Sequence, residues 1–187
     1  PKKEILPRGI INKLKTRKAH FFANGVFTAE KIEKMMKKKV EVVQPYIDDR
    51  FFYKGTAKKK IILSVGRFFP HLHSKRQDVL IEAFTKLQKK SSTFHSYKLI
   101  LAGGLTDAEE DREYYAKLMQ MKKENNAIEI QTNILNKELL ELYRDAEIYW
   151  HAAGFGINED RQADGVEHLG ITPLQGMAAG AIVFCHN

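Results

Sequence analysis

The chain has 187 residues, of which 43% are hydrophobic and 29% charged, the balance of a folded globular protein rather than a disordered or fibrous one. No stretch approaches the roughly 18 consecutive apolar residues of a membrane-spanning helix, and the first residues lack the apolar run of a signal peptide. The single cysteine, Cys185, cannot form an internal disulfide, which suits a reducing compartment. We therefore expect a cytoplasmic protein.

Positive charge is concentrated towards the amino terminus. Residues 1–60 carry 17 basic against 6 acidic side chains, whereas residues 61–187 carry 14 against 17, within an overall net charge of +8. Such a segment can contact an anionic membrane surface peripherally, or it can be the solvated face of a helix. Nucleic acid is disfavoured as a partner because few aromatic residues lie between the lysines and no nucleic-acid-binding motif accompanies them.

The first sixty residues predict a short α/β segment. In chain order the predicted elements are a basic amphipathic helix over 1–19, an apolar strand over 20–24, a helix over 27–36, a linker strand over 40–47 and a loop over 48–60. Thr28 is the predicted N-cap of the second helix. We place a domain boundary at residue 40. Residues 1–39 are then the end of one domain together with its linker, and residues 40–187 form a second domain.

From residue 60 onwards, strands and helices alternate with the lengths of βαβ units. The predicted strands are 61–65, 97–102, 127–131, 148–151 and 182–184, and the predicted helices are 78–89, 111–124, 137–144 and 172–179. With right-handed crossovers this pattern predicts an α/β fold with a Rossmann-like open parallel sheet and helices on both faces. Ligands of such sheets bind at the carboxyl ends of the strands.

Three features at predicted strand ends suit a phosphate group. Gly66 and Arg67 follow the first strand, and the planar guanidinium group can bind a pair of phosphate oxygens. Lys75, or its neighbour Arg76, adds a positive charge just before the next helix. Gly170 precedes the last helix, where free backbone N–H groups and the helix dipole attract anions, and a glycine lets the main chain approach a ligand closely.

Two further side chains belong to the same predicted cleft. Glu167 would repel a phosphate, so we expect it to hydrogen-bond the hydroxyl groups of an attached sugar. His151, at the end of the fourth strand, is expected to contact the sugar or an acceptor. His71 and His73 lie close together in a loop, but no third ligand is nearby, so we expect neither a metal ion nor another cofactor.

The segment 167–182, Glu-His-Leu-Gly-Ile-Thr-Pro-Leu-Gln-Gly-Met-Ala-Ala-Gly-Ala-Ile, resembles the Glu-x7-Glu signature of retaining glycosyltransferases of family four, which belong to the glycosyl transferases group 1. Val65-Gly66-Arg67 and Lys75 also match this family in order. In the family the first Glu meets the donor sugar and the second meets the nucleotide ribose. Gln175 stands at the second position here, and its amide can still hydrogen-bond a ribose diol.

The resemblance implies the C-terminal half of a GT-B fold, preceded by a short piece of the N-terminal domain. This part would bind a nucleotide-diphosphate-sugar donor, for transfer with retention and without a metal to an unidentified glycan, lipid or small-molecule acceptor. The implied catalytic residues are Glu167, Arg67 and Lys75, and the implied substrate-binding residues are Gly66, Gly170, Ile171, Gln175 and His151. On its own, the chain is expected to bind a donor weakly and to transfer nothing.

Two other interpretations stay open at this point. One is another GT-B-like enzyme, such as a nucleotide-sugar epimerase, which would need an acid or base in the cleft. The other is a non-catalytic binding module, either a nucleotide-binding domain weakened by Gln175 in place of the second Glu or a basic module for nucleic acid.

Overall fold

The computed structural model describes residues 8–16, 19–71, 74–158, 165, 167 and 169–186. The chain divides into two compact units, residues 1–46 and residues 47–187. Among the described residues, no helix is long and apolar enough to cross a bilayer.

The first unit contains two short parallel strands joined by a helix. Its elements are α1 (Arg8–Thr16), β1 (Phe21–Ala23), α2 (Val26–Met36) and β2 (Val40–Val42). β1 and β2 pair in parallel, with Phe21 opposite Val40. Ala23, Ala29 and Val40 are buried between the strands and α2 and form the small core of this unit.

Two predictions for this unit differ from the structure. α2 begins at Val26 because the first intrahelical bond runs from Ala29 N–H to the carbonyl of Gly25, at 3.0 Å. The prediction that Thr28 is the N-cap is therefore wrong, and its buried Oγ1 has no hydrogen-bond partner in the described part of the chain. The division between the units falls after Tyr46 rather than at residue 40, because β2 pairs with β1 and stays in the first unit.

The second unit is a five-stranded parallel sheet with helices on both faces. Its strands are β3 (Lys59–Val65), β4 (Lys98–Gly103), β5 (Ile128–Thr132), β6 (Ala146–His151) and β7 (Ile182–Cys185), in the spatial order β5-β4-β3-β6-β7. Its helices are α3 (Gln77–Lys90), α4 (Glu109–Lys122), α5 (Asn136–Asp145) and α6 (Ile171–Ala178). The predicted α/β fold is confirmed, and every strand and helix predicted after residue 60 is present to within two residues at each end. The predicted loop at 48–60 contains a 3-10 turn at Asp49–Phe51.

Alternate residues of the strands build two cores. On the face covered by α3 and α4, Phe84 and Leu118 pack with strand residues such as Leu101. On the opposite face, Tyr143 of α5 and Tyr149 of β6 are fully buried in the other core. The runs of Val, Ile and Leu in β3 and β4 follow from this burial on both faces.

The central strands separate at the carboxyl edge of the sheet. Registered pairs between β3 and β6 end at Leu63–Tyr149, whereas β3 pairs with β4 as far as Val65. β6 continues beside β7 as far as His151. Because β3 leads to a connection on one side and β6 to one on the other, a crevice opens between them, which is the usual ligand position in such folds.

Candidate functional site

The loop after β3 is fixed by backbone and side-chain hydrogen bonds. Gly66 N–H donates to the carbonyl of Ala102 at 2.9 Å. The buried amide Nε2 of Gln77, the first residue of α3, donates to the carbonyls of Gly66 and Arg67 at 3.2 and 3.0 Å. The loop therefore presents a set backbone conformation at the edge of the crevice.

Close approach requires glycine at two points, Gly66 in this loop and Gly103 at the end of β4. A Cβ atom at Gly103, the last residue of β4, would overlap the carbonyl oxygen of Gly66, and a Cβ atom at Gly66 would overlap the side-chain stem of Lys75. Gly104 is different, because a Cβ atom there would be 3.8 Å from its nearest neighbour, the Cγ of Arg67. The stem of Lys75 thus lies directly over Gly66.

Three predicted residues meet in the crevice. Lys75 Nζ donates to Glu167 Oε2 at 2.5 Å, and His151 Nε2 contacts the same oxygen at 2.9 Å. The side chains of Lys75 and Glu167 are 19% and 26% exposed, whereas that of His151 is only 2% exposed. Both contacts end on Oε2, and Oε1 of Glu167 has no protein partner among the described residues.

The cluster formed by Lys75, His151 and Glu167 keeps the Glu167 carboxyl group ionised. Burial raises the pKa of the Glu167 carboxyl, but the hydrogen bonds and charges of His151 and Lys75 outweigh it and hold the pKa well below its ordinary value. An ionised carboxylate can only accept hydrogen bonds, so His151 donates from Nε2 to Glu167. Nδ1 of His151 is buried and has no partner among the residues that the structure describes. A contact of His151 with sugar or acceptor remains a prediction, since its observed side-chain hydrogen bond is to Glu167.

The two arginines near the cluster have different surroundings. Arg67 is exposed, with its Cζ 5.3 Å from the ring centroid of Phe69, and it forms no ion pair within the described ranges. Arg76 has a left-handed backbone at the start of α3 and donates to the carbonyl of Phe155 at 2.7 Å and to Asp78. Of the two basic residues that the sequence left open, Lys75 is therefore the one beside Glu167.

The N-terminus of α6 lies close to Glu167 in the chain. Gly170 caps this helix with a φ of 71°, in the left-handed region where glycine is favoured. The first intrahelical bond joins Leu174 N–H to the carbonyl of Gly170 at 3.3 Å, which leaves the amides of Ile171 and Thr172 without an intrahelical acceptor. Ile171 is 41% exposed. These amides are suited to an anion.

Gln175 lies apart from the Glu167 hydrogen bonds. The hydroxyl of Tyr143 is 3.1 Å from Gln175 Oε1 and 3.3 Å from the carbonyl of Thr172. Tyr143 is fully buried, and Gln175 is half-buried. Sequence reasoning did not identify Tyr143 or Tyr149 at the site, because a buried aromatic side chain has the same sequence pattern as ordinary core.

The predicted histidine pair is only partly described. His71 Nε2 lies 2.5 Å from Glu110 Oε2 at the surface, and His73 lies outside the described residues. In the described part of the chain, no three His, Cys, Asp or Glu side chains are grouped to hold a metal ion.

Solved structures share this fold. The chain matches a crystal structure of a glycosyltransferase from Rickettsia africae ESF-5 with a TM-score of 0.72 and 16% identity, covering 97% of this chain and 48% of that one. It matches a UDP-forming alpha,alpha-trehalose-phosphate synthase from Burkholderia xenovorans with a TM-score of 0.59 and 15% identity, covering 79% of this chain and 37% of that one. Both matches are likenesses of fold.

Curated relatives give a closer sequence match. The chain is 29% identical over 151 residues to the GDP-Man:Man(3)GlcNAc(2)-PP-Dol alpha-1,2-mannosyltransferase of Mus musculus, and 31% identical over 150 residues to that of Xenopus tropicalis. Each match covers 78% of this chain and 27% of the relative. The chain thus spans about a quarter of the length of the curated relatives it matches.

The family model described as glycosyl transferases group 1 matches residues 45–187, which include every element of the five-stranded sheet and the whole Lys75–His151–Glu167 cluster. The chain belongs to the glycosyl transferases group 1 family.

Proposed function

We propose that this chain is the donor-binding part of a retaining glycosyltransferase of family four, which transfers a sugar from a nucleoside-diphosphate sugar to an acceptor. The observation that supports the proposal is how the two carboxylate oxygens of Glu167 are hydrogen-bonded. Lys75 and His151 hold one carboxylate oxygen, and the other has no described protein partner, at the point where β3 and β6 diverge.

The donor diphosphate binds between the β3 loop and α6. Lys75 uses one of its three donors on Glu167 and keeps two for phosphate oxygens. Arg67 supplies a guanidinium group, and the amides of Ile171 and Thr172 supply the positive end of a helix. These groups stabilise the negative charge that develops on the leaving nucleoside diphosphate, so the proposed reaction needs no metal ion.

The donor sugar contacts Glu167. Its Oε1 accepts from a sugar hydroxyl, while His151 and Lys75 fix the carboxylate from behind. Gln175 contacts the ribose through its amide Nε2, because Tyr143 already engages Oε1. Retention at the anomeric carbon follows from the resemblance to family four, and NMR of the product of the complete enzyme tests it.

The relatives suggest which donor and acceptor to test. Their names specify GDP-mannose and a dolichol-diphosphate-linked oligosaccharide. We propose a GDP-sugar donor and a lipid-linked glycan acceptor for the complete enzyme, at the cytoplasmic side of a membrane. The basic segment 1–60 would contact that membrane peripherally. The chain alone should bind the donor weakly and transfer nothing.

Calorimetric titration with GDP, UDP, ADP and their sugars tests the donor site. We expect binding of at least one nucleoside diphosphate, with GDP preferred, and its loss in Lys75→Met. Lys86→Met is the matched control, because Lys86 is an exposed lysine of α3 whose ion pair among the described residues is the long 3.9 Å contact with Glu82. Absence of nucleotide binding, or equal binding by both variants, would contradict the proposal.

A further inference from the structure

The end of β3 has backbone groups that no neighbouring strand satisfies. Gly66 N–H points to β4 and donates to Ala102, so the N–H and C=O of the preceding residue, Val65, point to the other side, towards β6. The ladder to β6 has already ended at Leu63–Tyr149. Buried and unpaired backbone groups of this kind would be costly.

The hydroxyl of Tyr149 satisfies both groups. Val65 N–H donates to Tyr149 Oη at 3.2 Å, and Tyr149 Oη donates to the carbonyl of Val65 at 3.3 Å. Tyr149 is fully buried, and burial above all raises its pKa to about 12, so the hydroxyl keeps the proton that it donates. One side chain therefore takes the place of the missing strand where the crevice begins.

The same tyrosine is joined to the first turn of α6. Gln175, Gly176 and Thr172 belong to this helix, and, against the larger effect of burial, the side chain of Thr172 lowers the pKa of Tyr149. The ring of Tyr143 stacks on that of Tyr149 with centroids 5.7 Å apart and planes at 8°, and the Tyr143 hydroxyl donates to the carbonyl of Thr172. α6 lies tightly on this ring, since a Cβ atom at Gly176 would be 2.9 Å from Tyr149 Cγ.

We propose that Tyr149, supported by Tyr143, is a positioning residue that fixes the Gly66–Arg67 loop relative to the N-terminus of α6, and so sets the spacing of the groups that receive the donor diphosphate. The inference rests on the proposed function for the identity of the ligand. The effect on the Gly66–Arg67 loop is assigned to the hydroxyl and not to the ring, because the hydroxyl makes both hydrogen bonds to Val65.

The test compares three single-oxygen deletions. Tyr149→Phe and Tyr143→Phe remove a hydroxyl at the crevice. Tyr97→Phe is the matched control, since the buried Tyr97 donates to Glu147 at 2.8 Å, at the opposite edge of the sheet. GDP affinity is measured by calorimetry, and backbone amide exchange of residues 65–67 and 171–172 is measured in nucleotide-free protein.

Tyr149→Phe should weaken GDP binding by about three- to tenfold, the equivalent of one ordinary hydrogen bond. Amide exchange at Gly66 and Arg67 should become faster in this variant. Tyr143→Phe should act mainly on Ile171 and Thr172, and Tyr97→Phe should lower only the melting temperature.

The proposal is overturned if Tyr149→Phe equals Tyr97→Phe in both GDP affinity and amide exchange, because Tyr149 is then a stabilising core residue only. If the unaltered chain binds no nucleoside diphosphate, the proposed function fails. The exchange comparison then still supports or overturns the positioning role on its own.

Discussion

The two edges of the five-stranded sheet use charge differently. At the amino edge, charged side chains form separate surface pairs, such as Lys59–Asp145 at 2.7 Å and Lys98–Glu129 at 2.6 Å. At the carboxyl edge, Lys75 and Glu167 are half-buried. Both Lys75 and the buried His151 contact the same oxygen, Oε2 of Glu167. Exposed pairs of the first kind contribute little to stability. The cluster is more costly to disturb, and it keeps donors and an acceptor for a ligand.

Lys58 makes the contrast clearer. Its ammonium group donates to the carbonyls of Arg144 and Ala179, at the C-terminal ends of α5 and α6, and burial lowers its pKa. Lysines that close helix C-termini in this way stabilise the helix ends. At the amino edge the half-buried charge of Lys58 thus holds two helix ends, whereas at the carboxyl edge α6 begins with amides that have no intrahelical acceptor.

The largest expected effect is on the backbone contact beneath the cluster. Gly103→Ala forces a methyl group into the carbonyl of Gly66 and should lower the free energy of unfolding by about 3 kcal/mol, the upper end for overpacking. Gly104→Ala is the control and should change it by less than about 0.5 kcal/mol. Urea denaturation measures both, and equal stabilities would show that the β3 and β4 loops can move apart freely.

Arg67→Ala should weaken nucleoside diphosphate binding by roughly 1.5–3 kcal/mol, the range for a hydrogen bond to a charged group. Its melting temperature should change little, because Arg67 is exposed and forms no ion pair in the described structure, and its contact with Phe69 lies at the surface. The exposed Arg112 of α4 offers a control of equal charge, Arg112→Ala. Unchanged calorimetric affinity in Arg67→Ala would remove this residue from the site.

Glu167→Gln should lower the free energy of unfolding at neutral pH by about 2 kcal/mol, between the values for surface and buried ion pairs. The pKa of Glu167 is lower in the fold than its ordinary value of 4.5, so its contribution is complete above that pH and is lost as the pH falls further. The unaltered protein should therefore lose more stability than the variant between neutral and acidic pH.

The same pH series on Glu129→Gln provides the comparison at the amino edge. Its pair with Lys98 is exposed, so we expect a much smaller difference from the unaltered protein. Parallel acid denaturation curves for Glu167→Gln and the unaltered protein would contradict the assigned role of the cluster.

Lys98→Met should have the smallest effect, a change in the free energy of unfolding of less than about 0.5 kcal/mol. Its exposed pair with Glu129 is screened by solvent and lies at the edge away from the crevice. Nucleotide affinity should be unaltered. A large loss in either measurement would mean that the two edges do not differ as described.

The sheet could be predicted from the sequence because its signals are local. The apolar run of β3 and the alternation after residue 60 give the order of strands and helices, and the glycines mark the strand ends. The cap of α2 was missed because Gly25, in an extended conformation, begins the helix before Thr28. The domain boundary shifted because the strand pairing of β2 is not visible in its own composition.

The site could be predicted only as a set of residue types at strand ends. Lys75 and Arg76 are equivalent in sequence, and the left-handed backbone of Arg76 directs it to Phe155. The burial of His151 behind Glu167 depends on the divergence of β3 from β6, a tertiary feature. The two hydrogen bonds between the Tyr149 hydroxyl and Val65 also depend on this divergence. They could not be predicted, because an aromatic residue in a strand has the same sequence pattern whether or not its hydroxyl binds a backbone group.

A crystal structure of the chain with bound GDP tests the proposed donor site most directly. We expect diphosphate oxygens at about 3 Å from Lys75 Nζ and from the amides of Ile171 or Thr172, with Glu167 Oε1 beyond the terminal phosphate, where the donor sugar would be attached. A nucleotide bound elsewhere, with the Lys75–Glu167 contact intact and the first turn of α6 unoccupied, would contradict the proposal.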